Sequence, residues 1–166
     1  MMEKSGNDEG RIPAEGGGSA AFLLAQIGAH AAAKFAERLA PLDFTPAYAG
    51  ILRILGSRGP VTQQALAGIL GMFPSRLVSL MDQMESRGLI ERRDHPDDRR
   101  SYALHLTEKG RIALQSIGRV AREHHKALLG ALSVDEQRQL AQFLQRIADD
   151  QGLTRGVHPG YARLKS

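Results

Sequence analysis

Hydrophobic residues recur every three or four positions through the first half of the chain, and this is the spacing of amphipathic helices. Ser19 is placed to cap a first helix that runs to about Leu39, and a proline two residues further on ends it. Thr45 followed by Pro46 is typical of an N-cap with proline at the first helical position. This pair predicts a second helix that runs to about Ser57.

Two shorter helices are predicted next, with one tight turn between them. The first starts after Thr62, and Gly71 ends it. The second starts near Phe73–Pro74, and Gly88 fits the position just past its end. Two helices joined by a short glycine turn have the layout of a helix-turn-helix, whose second helix enters the major groove of DNA.

The spacing of apolar residues then changes from that of helices to the alternation typical of β-strands. Leu89–Arg93 and Ser101–Leu106 are predicted strands, because apolar and polar residues alternate in the second of them. The charged, turn-rich residues 94–100 between the strands are predicted to form a loop that carries arginines. A hairpin in this position is the wing of a winged helix-turn-helix.

Two further helices complete the pattern. Thr107 caps a long helix to about Leu129, and Ser133 with Glu136 has the spacing of a capping box that opens the last helix. The sequence therefore predicts a mainly α fold, a winged helix-turn-helix with a two-stranded β wing, flanked by N- and C-terminal helices. The flanking helices span about 19–39 and 107–151.

Composition sets the limits of this unit. Residues 1–18 are rich in glycine and hold four acidic against two basic residues, so we expect a disordered tail. Residues 19–151 are expected to form one unit, with a DNA-binding part at about 45–111. Residues 152–166 contain three basic and no acidic residues. They are expected to be a flexible basic tail, with an extra contact to DNA backbone or to a second subunit as the alternative.

Several classes of function are disfavoured. The chain has no cysteine, which excludes disulfides and cysteine-ligated metals within it. It has no predicted signal peptide or transmembrane helix, so a cytoplasmic location is expected. Catalytic motifs such as GxSxG and HExxH are missing, and the paired Asp97–Asp98 lies in a predicted exposed loop. We expect neither enzymatic activity nor a cofactor, while the net charge of +4 is compatible with an anionic partner.

The predicted helix-turn-helix supplies candidate DNA contacts. Arginine forks onto guanine, and serine hydrogen-bonds to any base edge or phosphate, when either lies early in a recognition helix. The start of the bracing helix suits a phosphate oxygen. The candidates are Ser75, Arg76 and Ser79 for bases or phosphate, and Thr62, Gln63 and Gln64 for phosphate. The alternatives are ordinary solvated helix residues for the first group and simple capping for the second.

The order of four sequence blocks resembles the MarR family of winged helix-turn-helix transcriptional regulators. These blocks are Gln63–Ala67, Leu77–Arg92, Asp94–Arg100 and Leu106–Arg111. The resemblance implies a homodimer, built by the flanking helices, that binds double-stranded DNA at a pseudo-palindromic operator. It also implies a repressor whose binding to DNA is weakened by a small, often aromatic or anionic, effector. An effector-independent architectural DNA-binding protein of the same fold is the alternative.

Two positions qualify what the resemblance implies. The family's wing motif falls on Asp98 and Arg100 with Arg99 between them. The aspartate is then expected to orient the wing and one of the two arginines to enter the minor groove. Phe73 stands where the family usually has a polar cap, so the base specificity of other members does not transfer.

The family's effector pocket lies between the flanking helices and the winged domain. The resemblance therefore implies five candidate effector residues on these helices, for which surface or interface charge is the alternative: His30, Lys34, Arg38, Tyr48 and Arg53. No metal site is expected, because His124 and His125 are adjacent and point about 100° apart on a helix. A polar interface or pocket role suits these two histidines better.

Overall fold

The computed structural model describes residues 18–95 and 98–163, with side-chain positions omitted for residues 95, 98–101, 162 and 163. The mainly α fold with a small antiparallel sheet is confirmed. A short 3-10 turn follows the first helix. The helices are α1 (Ala20–Leu39), α2 (Pro46–Arg58), α3 (Gln63–Leu70), α4 (Pro74–Ser86), α5 (Glu108–Leu129), α6 (Val134–Asp150) and α7 (Gly160–Arg163), and the strands are β1 (Val61–Thr62), β2 (Ile90–His95) and β3 (Asp98–Leu106).

Hydroxyl side chains begin five of these helices, as the sequence predicts. Each accepts a hydrogen bond from a backbone amide in the first turn of its helix, as Thr45 does from Tyr48 at 3.3 Å. The capping residues are Ser19, Thr45, Thr62, Thr107 and Ser133. Helix α4 differs, because Phe73 at its N-cap has no side-chain acceptor and Pro74 presets the first helical position instead.

The sheet has one strand more than predicted. Its order is β1-β3-β2, with Val61 opposite Leu104 and Ile90 opposite Leu106, and both pairings are antiparallel. Strand β1 has only two residues, too few for an alternating pattern to be visible in the sequence. The hairpin strands also extend into the predicted loop 94–100, since His95 pairs with Asp98. Backbone pairing extended the strands through residues whose charges indicated a loop.

The core is centred on α2, which is buried on most of its circumference. Leu39 from α1, Ile51 and Leu52 are fully buried there. Helix α4 contributes a second apolar layer, and the hairpin closes the core from the other side. The buried residues of α4 and the hairpin are Leu77, Met81, Met84, Leu89, Ile90, Ala103 and Leu104.

The flanking helices leave apolar side chains uncovered. In the described structure of α6 no residue is buried, and Phe143 is 55% exposed although it lies on the predicted apolar face. Phe22 and Ile27 on α1 are exposed as well. Such faces suit a second subunit, which stays a prediction here. No single helix among the described residues is long and apolar enough to cross a membrane, and α3 with α4 reaches that length only as a pair bent by 115°.

The chain after α6 returns to the core. Val157 and Tyr161 pack against core side chains, and the Tyr161 ring lies on α2 at Gly50. A Cβ atom at Gly50 would lie 2.8 Å from this ring. Burial raises the pKa of the Tyr161 hydroxyl, although the nearby Arg53 opposes that effect. Residue 50 permits this contact by having no side chain, and the flexible tail at 152–166 stays a prediction.

We predict that Gly50→Ala displaces Tyr161 from α2, because the added methyl group and the ring cannot occupy the same space. The chain has no tryptophan, so Tyr161→Trp introduces a single indole, whose emission is excited selectively beyond the absorption of the two remaining tyrosines. Its emission should be shielded from acrylamide in the otherwise unchanged chain and become accessible when Gly50→Ala is added. Gly28→Ala is the control, since an added Cβ there meets nothing within 4 Å in the described structure. Equal shielding in all three proteins would contradict this packing.

Candidate nucleic-acid interface

Helix α4 has an apolar side packed on the core and a polar side toward solvent. Leu77 and Met81 face inward, while Ser75 and Ser79 are exposed. Arg76 is half-buried and lies at the boundary between these sides. The structure thus places the two serines on the outer surface of α4, where a partner can approach them.

The candidates on α3 lie close to the start of α4. Gln63, Gln64 and Pro74 line one groove of about 590 Å³ between the two helices. Thr62 lies at the entrance to α3, where its hydroxyl accepts a hydrogen bond from the amide of Ala65 at 3.1 Å. Its side chain therefore serves the cap, and the two glutamines are the polar groups that border the groove. The structure brings these candidates together with the beginning of the recognition helix.

The wing candidates are described in their backbone alone. Asp98 begins β3 opposite His95, and Arg99 and Arg100 follow it in the strand. The side chains of these three residues lie outside the described part of the structure. Their roles at the minor groove stay predictions.

Arg92 ties the wing to α4, a contact that the sequence analysis missed. Its guanidinium donates to Asp82 at 2.6 Å and to the carboxylate of Glu85, and its backbone amide also donates to Glu85 at 3.1 Å. Burial alone would lower the pKa of Arg92, but the two carboxylates outweigh it and raise this pKa. The wing holds acidic residues of its own, such as Glu91 and Asp94. The partners lie on the recognition helix instead, seven and ten residues earlier.

A second arginine, Arg87, follows the last residue of α4 and contacts the turn before α2. The guanidinium of Arg87 lies 5.1 Å from the ring centre of Phe44 and 5.4 Å from that of Tyr48. It also donates to the backbone carbonyl of Asp43 at 2.7 Å. Asp43 has a left-handed backbone, with φ of 57°, in the turn before α2. The end of α4 is therefore fixed to the turn between α1 and α2.

A cavity of about 860 Å³ lies between α1, α2, α4 and the C-terminal segment. Its wall combines aromatic rings with guanidinium groups and a histidine. The side chains that define its chemistry are Phe35, Phe44, Tyr48, Tyr161, Arg76, Arg87 and His158. Helix α4 thus forms one wall of the cavity with Arg76, Leu80 and Gln83, next to its exposed serines, and Arg87 just past its end continues this wall.

The five candidate effector residues do not lie together in the structure. Tyr48 lines the cavity, whereas the other four are not among its described lining residues. Lys34 pairs with Glu37 at 2.7 Å on the exposed side of α1. Arg53 lies beside Gly156 of the C-terminal segment. Arg38 and His30 lie close enough to His124 to lower its pKa. Spacing along α1 and α2 did not reveal which way each side chain points.

The histidines lie at the contact between α1 and α5. The rings of Phe35 and His124 are 5.4 Å apart. Burial first, and then the positive charges of Arg38, His125 and His30, lower the pKa of His124. In the described part of the chain, no three histidine or carboxylate side chains are grouped as metal ligands.

Proteins of similar sequence and fold identify the family to which this chain belongs. Residues 44–102, which include the helix-turn-helix and most of the hairpin, match the model of the MarR family. A structure of the transcriptional repressor CouR, bound to a 23-mer DNA duplex, is 32% identical with a TM-score of 0.70. That match covers 78% of this chain and 92% of CouR. The chain belongs to the MarR family.

Two further relatives agree with this membership. A MarR-family transcriptional regulator from Rhodococcus sp. RHA1 is 26% identical with a TM-score of 0.67, over 77% of this chain and 91% of that one. A Thauera aromatica protein, named as a transcriptional regulatory protein for the hcr operon, is 33% identical over 103 residues. This match spans 62% of the length of each protein. MarR-family relatives are transcriptional regulators rather than enzymes, which supports the expectation that this member is not an enzyme.

We predict that Arg92→Met lowers the free energy of unfolding by about 1–3 kcal/mol, because two carboxylates and the wing lose a charged partner. Urea unfolding at one fixed protein concentration measures this change. Arg93→Met is the matched control: Arg93 pairs with Glu91 inside the wing, and its side chain is 60% exposed against 22% for Arg92. The control should change stability by less than about 0.5 kcal/mol. Equal effects of the two substitutions would contradict a special role for Arg92.

We also predict a pH dependence that originates at His124. A lowered pKa means that the folded protein binds this proton less readily than the unfolded chain does. The contribution to stability is therefore complete above pH 6.5, the usual pKa of histidine, and is lost as the pH falls below it. Urea unfolding between pH 5 and 7.5 should show this slope, and His124→Gln should reduce it. An unchanged slope in the variant would contradict the assignment.

Proposed function

We propose that this MarR-family protein is a dimeric repressor that binds a pseudo-palindromic DNA operator and is released by a small effector. One observation carries the proposal. Helix α4 exposes Ser75 and Ser79 on its outer side and forms a wall of the 860 Å³ cavity with Arg76 and Gln83. A ligand in the cavity therefore contacts the same helix that would contact DNA.

The DNA contacts follow from the layout of the motif. Helix α4 lies in the major groove, where Ser75, Arg76 and Ser79 reach base edges or phosphates. The amides and glutamines at the start of α3 bind phosphate across the adjoining groove. Arg99 or Arg100, oriented by Asp98, enters the minor groove from the wing. The relative CouR is a transcriptional repressor whose structure is bound to a DNA duplex, which supports DNA binding by this chain.

The chemistry of the cavity indicates the class of effector. The aromatic rings would pack against a planar ring. The guanidinium groups of Arg76 and Arg87 outnumber the one carboxylate of the described lining, Asp43, which pairs with Arg87 at 3.3 Å, and the excess positive charge would attract an anion. The volume lies within the range of about 300–1,000 Å³ typical of small-molecule sites. An aromatic carboxylate, or another planar aromatic anion, fits these features best.

The dimer follows from apolar faces that this chain leaves uncovered. Phe143, Leu144 and Ile147 of α6 and Phe22 and Ile27 of α1 are exposed large hydrophobic residues on the flanking helices. Covering them with a second subunit removes this apolar surface from water. Two recognition helices would then face two operator half-sites that lie about one helical turn of DNA apart.

The test is a selection of bound sequences from random and upstream genomic DNA with the full chain, followed by anisotropy titrations at near-physiological salt. A regulator should prefer the selected site by a factor on the order of 10³ over unrelated DNA. The selected site should be palindromic and take one dimer. Equal binding to all sequences would overturn the proposal and favour the architectural alternative. Release of the operator by aromatic carboxylates, but not by their amides, then tests the effector class.

Arg76→Ala distinguishes base reading from phosphate binding. If Arg76 forks onto a base, the variant should weaken operator binding by roughly ten- to a hundredfold and leave binding to unrelated DNA nearly unchanged. Anisotropy titrations with both DNAs at the same salt concentration measure this. A similar loss on both DNAs would assign Arg76 to phosphate and remove it from the base contacts.

A further inference from the structure

A chain of hydrogen bonds links the cavity to the outer surface of α4. The Tyr48 hydroxyl donates to Oε1 of Gln83 at 2.7 Å, and Nε2 of Gln83 donates to Oγ of Ser79 at 3.3 Å. Tyr48 on α2 is only 5% exposed, whereas Ser79 faces solvent. Tyr48 and Gln83 both line the cavity. The amide of Gln83 therefore connects a buried hydroxyl in the cavity wall to an exposed hydroxyl on the predicted DNA-reading side.

The direction of these bonds has a chemical consequence for Ser79. A serine hydroxyl has one hydrogen to donate and two lone pairs that accept. With Gln83 donating to one lone pair, the hydrogen of Ser79 remains available for an acceptor outside the protein. A serine inside a helix otherwise tends to donate this hydrogen to the carbonyl four residues earlier. The link to Gln83 thus favours an outward-pointing donor at Ser79.

We propose that Tyr48 and Gln83 are positioning residues that hold Ser79 as a hydrogen-bond donor to a base acceptor in the operator. The proposal rests on the DNA-binding function proposed above. The acceptors in the major groove are N7 and O6 of guanine, N7 of adenine and O4 of thymine. Specificity at one base position then depends on a hydroxyl that never touches DNA.

Tyr48→Phe tests this link with little disturbance of the core. It removes the hydroxyl and keeps the ring that packs against Arg87 at 5.4 Å. We expect a roughly three- to tenfold loss of affinity for the selected operator and no change for unrelated DNA. Ser57→Ala is the control, since it removes from the same helix a hydroxyl that donates to the carbonyl of Ile54 at 3.2 Å and lies outside this chain of bonds. The control should bind the operator like the unchanged protein.

A second variant and a double-variant comparison separate positioning from general damage. Gln83→Met removes the link at the surface of α4, where folding is least affected, and should reproduce the loss. Ser79→Ala should cause a similar or larger loss, and adding Tyr48→Phe to Ser79→Ala should cause no further loss. Additive losses would overturn the proposal, because two independent effects would then be present.

Modified operators distinguish positioning of Ser79 from a purely structural role of Tyr48 and Gln83, because a structural role would not depend on one base acceptor. Each purine is replaced in turn by its 7-deaza analogue, which lacks the N7 acceptor. Each guanine or thymine is replaced by its 6-thio or 4-thio analogue, in which sulfur, a weaker acceptor, stands in place of O6 or O4. The unchanged protein should lose affinity at a position where Ser79→Ala, Tyr48→Phe and Gln83→Met show no such loss. Binding by Tyr48→Phe that equals the unchanged protein at every position would overturn the proposal. Failure of the unchanged protein to select any sequence would instead overturn the proposed function.

Discussion

The burial of one side of α4 against α3 and strand β2 is the interaction on which the rest of the structure depends. Leu77, Met81 and Met84 are fully buried, and together they set the rotation of α4 about its own axis. That rotation determines which residues face outward. A change of one residue in this register would turn Ser75 and Ser79 by about 100° away from their present surface. Apolar packing therefore determines the polar chemistry of the helix, although none of the packed atoms takes part in that chemistry.

Two arginines add further contacts between α4 and neighbouring elements. Arg92 binds Asp82 and Glu85 and so joins the hairpin to the outer side of α4. Arg87 lies against Phe44 and Tyr48 and so joins the end of α4 to the start of α2. Both are engaged with protein groups, which makes them poor candidates for DNA contacts despite their charge. The recognition helix, the wing and the cavity wall are consequently held as one assembly.

The segment after α6 adds a connection between the flanking helices and the DNA-binding part. Tyr161 packs on α2 at Gly50 and also lines the cavity. Any ligand in that cavity is thus enclosed partly by residues outside the region that matches the family model. The same cavity is bounded by α4, whose Arg76, Leu80 and Gln83 line it.

The sequence by itself determined what depends on neighbours along the chain. Capping hydroxyls such as Thr45 and Ser133, and the turn at Gly71, placed helix boundaries to within about a residue, because these signals act within one helical turn. The ordered blocks between Gln63 and Arg111 were sufficient to indicate the family. Only the tertiary structure decided which distant groups meet. It paired Val61 with Leu104, gave Arg92 its partners on α4, and placed Tyr48 but not Lys34 in the cavity. These outcomes depend on packing between elements far apart in sequence, and local spacing carries no information about the direction in which one helix presents its side chains to another.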